Sequence, residues 1–276
     1  MADIYTYLAT KNLGVDYGYS LSFNSTGTMA YIVYQSLSPE RVRELSFSIP
    51  WNISTATFTA NTLSPTTYLQ SCFLAPDSSN IYICQRLAYG VFNVYQYSLS
   101  GDLSTAVHVH TKDFSDAAGT GSNWIHSGFI TADGISLFLS VDTSSGGLRI
   151  TKYVLSSPFD IETAVKVDVF TFFSGGFAPN LFMSPTGRRL YAVNFGTANL
   201  IRVDFSTAWD LSTYTETDIT DIGGARIAGF FANEDSEIFY ILKDPGTNTL
   251  DLNTYGFTPV PVEFWTNFSG QTEILE

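Results

Sequence analysis

The chain has 276 residues, with 26 Asp and Glu against 13 Lys and Arg and a formal net charge of −13; a field of that sign repels phosphate backbones, so no nucleic-acid partner is expected. Charged residues make up only 14% and aromatics 15%, where an average soluble domain is roughly 25% charged, so the surface must be built from Ser, Thr, Asn and Gly. No apolar run approaches the roughly 20 residues of a membrane helix, and the opening Met1–Tyr7 has neither the basic nor the apolar region of a secretory signal.

The abundance of Phe, Tyr, Thr, Val and Ile favours strands. The first is Ile4–Thr10, IYTYLAT, after which the chain repeats. Five segments share the order apolar strand, short turn, second strand: SLSFNSTGTMAYIVY from Ser20, SCFLAPDSSNIYIC from Ser71, SGFITADGISLFLS from Ser127, NLFMSPTGRRLYAV from Asn180 and AGFFANEDSEIFYI from Ala228. The aligned aromatics of the second strands are Tyr31, Tyr82, Phe138, Tyr191 and Phe239, a period near fifty. In four repeats a corner follows: Pro50–Ala56, Gly101–Ala106, Pro158–Ala164 and Trp209–Thr213. Its Asn or Asp is expected to accept backbone N–H bonds two or three residues on. Two-residue alternation predicts half-buried strands, with Val94, Tyr97 and Leu99 or Val165, Val167 and Val169 on the inward face.

Four strands recurring every 40–50 residues describe a β-propeller blade. The expected fold is all-β: one five-bladed propeller of four antiparallel strands per blade over residues 1–276, with repeats at about 20–70, 71–126, 127–179, 180–227 and 228–267. The fifth repeat lacks the corner that leads into an outermost strand, so the N-terminal strand 4–10 is expected to complete that blade and remove an open edge. Val262–Asn267 competes for the same position. Cys72 and Cys84 flank the Ala75–Asn80 turn and fall nearly opposite each other in a hairpin; they are read as two buried thiols, with a cross-strand bridge as the alternative.

The Ser184–Gly187 turn with Leu190 and Tyr191, together with Tyr97–Ser100 and Pro50–Ala56, resembles a propeller repeat of bacteriophage structural and tail-associated proteins and of some bacterial proteins. The resemblance covers about residues 20–256 and departs from the pattern at Gly101, where Trp is expected, and in the fifth repeat. It implies a non-enzymatic virion protein, tail-associated or capsid-decorating, located on the virion. The partners it implies are other virion proteins and a host surface glycan, with self-association open. Alternatives are a lectin-like or scaffold propeller of a bacterial cell and, third, a glycoside hydrolase.

Propellers bind ligands where the loops entering the innermost strands converge, and those loops supply the candidate ligand-binding residues Tyr19, Tyr68, Gln70, Trp124, His126, Asn180 and Arg226. Flat aromatics with amides suit sugar faces and hydroxyls, and rings plugging the channel are the competing explanation. Glycoside hydrolysis needs two facing carboxylates, and the innermost strands carry none. No catalytic residue, metal or cofactor is therefore expected: His108 and His110 lack a third ligand, and HExxH, DxDxDG and nucleophile-elbow motifs are missing from the sequence.

Overall fold

The computed structural model describes residues 4–14, 18–34, 40–88, 90–118, 125–142, 148–172, 180–184, 186–194, 199–217, 226–233, 238–244 and 250–258. The chain opens with β1 (Ile4–Asn12) and then builds four blades in sequence, each a four-stranded antiparallel sheet in chain order from innermost to outermost strand. Blade 1 is β2 (Gly18–Phe23), β3 (Met29–Tyr34), β4 (Arg41–Phe47) and β5 (Ala56–Leu63). Blade 2 is β6 (Leu69–Leu74), β7 (Asn80–Ala88), β8 (Val91–Ser98) and β9 (Val107–Asp113), followed by one helical turn, α1 (Ser115–Ala118). Blade 3 is β10 (Ile125–Ile130), β11 (Ser136–Asp142), β12 (Leu148–Leu155) and β13 (Ala164–Phe172). Blade 4 is β14 (Asn180–Met183), β15 (Arg189–Asn194), β16 (Asn199–Phe205) and β17 (Tyr214–Thr217). In blade 5, β18 (Arg226–Asn233), β19 (Ile238–Asp244) and β20 (Asp251–Thr258) are completed by β1.

That last pairing closes the ring. β1 runs antiparallel to β20 from Ile4 opposite Thr258 to Asn12 opposite Asp251, and Leu13 N donates to Leu250 O at 2.8 Å just beyond it. A sheet edge that would otherwise stand open is paired by the other end of the chain. The competing segment Val262–Asn267 lies outside the described residues. The innermost strands pack on one another cyclically, β2 on β6, β6 on β10, β10 on β14, β14 on β18 and β18 on β2. Squeezed between neighbours on both faces, β6 is buried over all but its last residue.

The outermost strands behave differently from the alternation expected of them. Val165, Val167 and Val169 are exposed rather than half-buried, at 64%, 52% and 38%, because none of the described residues packs outside the ring at that radius. Instead a one-residue bulge interrupts the outer strand at Leu8 in β1, at Val109 in β9 and at Val167 in β13. Such bulges twist an edge away from regular pairing with another chain. The cysteines are both free and buried. Register puts Cys84 opposite Ser71 and Cys72 opposite Ile83, one residue out of the alignment a bridge requires.

Each corner is a single 3₁₀ turn: Ile53–Thr55, Leu103–Thr105, Ile161–Thr163 and Leu211–Thr213. As expected from the sequence, Asn52, Asp102, Asp160 and Asp210 accept the backbone N–H two residues on, at 3.0, 2.9, 3.0 and 3.0 Å. This is the capping that short polar side chains provide at helix starts. The residue before the cap is an aromatic in three blades, and Trp51, Phe159 and Trp209 all hold left-handed backbones, with φ of 64°, 61° and 63°. An L-residue pays roughly 1–2 kcal/mol for that conformation. In return each ring lies flat on a turn glycine of its own blade, Gly27, Gly134 or Gly187, where a Cβ would come within 2.1, 2.7 or 2.3 Å of it. Blade 2 has the complementary pair: Gly101 replaces the aromatic, and the turn position carries Ser78, also at positive φ, with no ring above it.

The corners also join blades. Tyr82 of blade 2 donates its hydroxyl to Phe159 O of blade 3 at 2.9 Å, and Tyr240 of blade 5 donates to Trp51 O of blade 1 at 3.0 Å. In blade 5 the structural equivalent of Tyr82 is therefore Tyr240, one residue beyond the aligned Phe239: Phe231 pairs with Tyr240 as Phe73 pairs with Tyr82, so the fifth repeat is offset by one residue from the sequence alignment. Third-strand side chains make parallel links: Glu44 accepts from Leu103 N at 2.8 Å, and Gln96 accepts from Ile161 N at 3.1 Å.

Candidate ligand-binding cavity

The five innermost strands enclose a central cavity of about 560 Å3 that reaches the turns at their exits. Its wall carries Phe73, Phe129, Phe182 and Phe231 from the innermost strands and the corner rings Trp51 and Trp209. These aromatics form two packed groups. Trp51 stacks on Phe231 at 6.0 Å between centroids, and Phe231 meets Phe182 edge-on at 5.1 Å. At the junction of blades 3 and 4, Phe129 lies 6.4 Å from Trp209. Trp51, Phe129, Phe182, Trp209 and Phe231 stay only partly buried although they sit at the centre of the molecule, so the surface they keep is presented to the cavity.

Four polar side chains of the wall are engaged in holding the frame. Ser20 Oγ donates to Cys72 O at 2.8 Å and accepts from Cys72 N at 3.2 Å, tying blade 1 to blade 2. Ser127 Oγ accepts from Leu181 N at 3.0 Å, tying blade 3 to blade 4. Ser184 Oγ accepts from Arg189 N at 3.1 Å, and Asn24 Oδ1 accepts from Thr28 N at 3.0 Å. With these bonds made at home, the cavity offers a guest mostly carbon. Among the described lining residues the only titratable side chain is Cys72, whose thiol burial pushes up to about 12, so it carries no charge at neutral pH.

The six described residues among the seven singled out from the sequence lie at or near the entry ends of the innermost strands, whereas the cavity opens toward the exits. Tyr19 is half-buried on β2 and Tyr68 is exposed just before β6. Gln70 and His126 are both the extra residue of a bulge, in β6 between Leu69 and Ser71 and in β10 between Ile125 and Ser127. Gln70 is buried; His126 is partly buried, but its Nε2 is fully enclosed without a hydrogen-bond partner, and loss of water lowers its pKa to about 4. The imidazole is therefore neutral at pH 7. Asn180 and Arg226 begin β14 and β18, opposite Val193 and Asp244. Trp124 lies outside the described residues. None of Tyr19, Tyr68, Gln70 and His126 lines the cavity.

His108 and His110 diverge. The bulge at Val109 turns His110 toward Asp160, 3.3 Å away, while His108 meets Thr111 Oγ1 at 2.8 Å. Among the described residues no group of three or more His, Cys, Asp or Glu could hold a metal. The signal for the cavity wall was present in the sequence as the Phe of the innermost strands and the Trp of the corners.

No protein-family model matches the chain, and no curated protein matches it. Solved structures share the fold. A periplasmic gluconolactonase from Pseudomonas aeruginosa aligns over 82% of this chain and 64% of its own, with 14% identity and a TM-score of 0.47. A protein named as a candidate 6-phosphogluconolactonase from Bacteroides fragilis aligns over 87% and 71%, with 17% identity and a TM-score of 0.47. A protein from Lactobacillus plantarum aligns over 83% and 64%, with 16% identity and a TM-score of 0.46. The chain thus spans under two thirds of the length of the first and third of these. The likeness is one of fold. The expectation of a non-enzymatic bacteriophage virion protein is corrected by these neighbours: two of the three carry the names of lactonases and none that of a phage protein. The phage resemblance rested on turn and corner residues, and the structure shows what those residues do. They cap 3₁₀ turns and seat rings on glycines, tasks that any propeller built this way requires.

Proposed function

We propose that this protein binds a small, largely apolar organic molecule in its central cavity. The observation that carries the reading is the cavity itself, about 560 Å3 with aromatic walls and with Ser20, Ser127, Ser184 and Asn24 bonded into the frame. That volume falls within the roughly 300–1,000 Å3 of sites for drug-sized ligands. Contact with a wall of this kind releases water from apolar surface at about 25 cal/mol per Å2.

Lactone hydrolysis, the activity in the names of two fold neighbours, is the chemistry to test in such a pocket. A phosphorylated sugar lactone asks for cationic groups, and no Lys or Arg stands among the described lining residues. A lactone with an alkyl or aryl substituent suits the wall better. Water activation requires a base near neutral pKa; a Cys72 thiol held up at about 12 does not serve, so that group would lie beyond the described lining.

The test is titration with the neutral fluorophore N-phenyl-1-naphthylamine, alongside pH-stat assays of alkyl- and aryl-substituted lactones. Saturable one-to-one binding, blocked by Ala132→Trp at an exposed turn position on the cavity wall, is the expected result. Binding that does not saturate, or that survives both Ala132→Trp and Leu74→Trp, overturns the reading.

A further inference from the structure

The aromatic wall has a property beyond its apolarity. The face of each ring carries negative potential, and no guanidinium or ammonium among the described lining residues answers it. The protein around it carries a net charge of −13. At the mouth, Asp77 and Asp133 follow directly in the chain on the wall residues Pro76 and Ala132. Asp133 accepts hydrogen bonds from Thr131 Oγ1 and Ile135 N that hold its pKa below the usual carboxylate value, so it is ionised at neutral pH. An anion entering this cavity would meet carboxylates at the mouth and ring faces inside, with no cationic side chain among the described lining residues to receive it. A cation with an apolar shell meets attraction at both places and is cheap to dehydrate, because alkyl groups already cover its charge.

We infer that the cavity selects an apolar cation, a quaternary or heavily alkylated ammonium group, held against Trp51, Phe129, Phe182, Trp209 and Phe231. This rests on the small-molecule reading above and sharpens it. Two groups of rings share the work: the linked Trp51, Phe231 and Phe182 of blades 1, 5 and 4, and Phe129 with Trp209 of blades 3 and 4. The corner rings reach the cavity because their backbones take the left-handed conformation over Gly27 and Gly187. Aromatic walls contacting one cationic group are the arrangement that recognises methylated ammonium ions.

The experiment compares three ligands of similar shape by isothermal titration on the full chain: phenyltrimethylammonium, its uncharged isostere tert-butylbenzene, and benzenesulfonate. The expected result is that the cation binds about tenfold or more tightly than tert-butylbenzene, with no measurable binding of benzenesulfonate. In Phe129→Leu and Phe182→Leu, which keep apolar volume on partly buried strand positions, the cation's advantage should shrink toward unity while tert-butylbenzene affinity changes little. Equal affinities for cation and isostere in the unmodified chain overturn the cation inference and leave the apolar-ligand reading standing. Failure of all three ligands, together with failure of N-phenyl-1-naphthylamine, overturns both. A cation preference that persists in both Phe variants but disappears in Asp77→Asn with Asp133→Asn assigns selectivity to the mouth carboxylates and overturns the role given to the rings.

Discussion

Removing the Glu44 carboxylate should weaken the junction between blades 1 and 2, and by an amount the geometry bounds. Glu44 is fully buried; one oxygen accepts from Leu103 N at 2.8 Å, the other from Thr59 Oγ1 at 2.9 Å and Asn61 Nδ2 at 3.0 Å. In Glu44→Ala, Thr59 and Asn61 are partly exposed and can turn to water, but the N–H of buried Leu103 cannot. An orphaned buried donor costs about 1–3 kcal/mol, and lost bonds to a charged acceptor add to it. Relief of the carboxylate's own desolvation offsets part of this, so the net loss should be about 2–4 kcal/mol. Glu44→Gln keeps one acceptor for Leu103 N and presents an NH2 to groups that must reorient, which should cost about 0.5–1.5 kcal/mol. Gln96 performs the same service for Ile161 N at the next junction, so an amide is adequate there by construction. Chemical denaturation followed by far-UV circular dichroism measures these differences. A Glu44→Ala variant within 0.5 kcal/mol of the unmodified protein, or a Glu44→Gln variant as damaged as Glu44→Ala, refutes the argument.

Two further predictions concern the entry end and the closure. The His126 pKa is lowered from 6.5 to about 4 by burial, so below pH 6.5 the unfolded chain binds a proton that the folded one refuses. Its contribution to stability is present above pH 6.5 and falls as pH drops toward 4, by up to about 3 kcal/mol at 1.36 kcal/mol per pKa unit. His126→Leu should flatten that part of the stability profile; parallel profiles for the two proteins exclude it. Deleting residues 1–12 removes β1 and bares the β20 edge, which should produce self-association detectable by light scattering. A synthetic peptide covering residues 1–14 should reverse it, and a truncated chain that stays monomeric and equally stable would show that β1 contributes no closure.

The sequence exposed the ring because its repeats are tied to tasks done by one or two residues. Asn52, Asp102, Asp160 and Asp210 must cap a turn, and the spacing of the caps is visible as a period. The closure by β1 was legible too, since a missing fifth corner and an unassigned first strand need each other. The outer-strand burial was not. Val165, Val167 and Val169 alternate like a half-buried strand, but alternation cannot reveal that none of the described residues forms a layer outside β13. The cavity was hidden for a different reason. Phe182 and Trp209 have the composition of core residues, and whether a ring fills space or borders it depends on whether five strands leave a gap at the axis.

The blade 2 exception shows how such a gap can acquire a direction. In blades 1, 3 and 4 a turn glycine and a corner aromatic are mutually dependent: the ring occupies the space a Cβ would need, within 2.1–2.8 Å at Gly27, Gly134 and Gly187. Neither partner can change alone. Replacing the glycine drives its side chain into the ring, and shrinking the ring leaves a strained φ with nothing gained. Blade 2 carries both changes together, Ser78 and Gly101, and a Cβ at Gly101 would meet nothing within 4 Å. Ser78 is then free to bond sideways, its Oγ accepting from Ser25 N of blade 1 at 3.1 Å. The polar bridge and the open corner thus stand where the other three blades place an aromatic ring. The rim of the cavity is consequently unequal around its axis: the corner rings Trp51 and Trp209 wall it on blades 1 and 4, and blade 2 contributes Phe73, Leu74 and Pro76 with no corner ring. A ligand bearing one charged and one neutral end would therefore meet more aromatic surface toward the corners of blades 1 and 4 than toward that of blade 2, which biases its orientation before any hydrogen bond does.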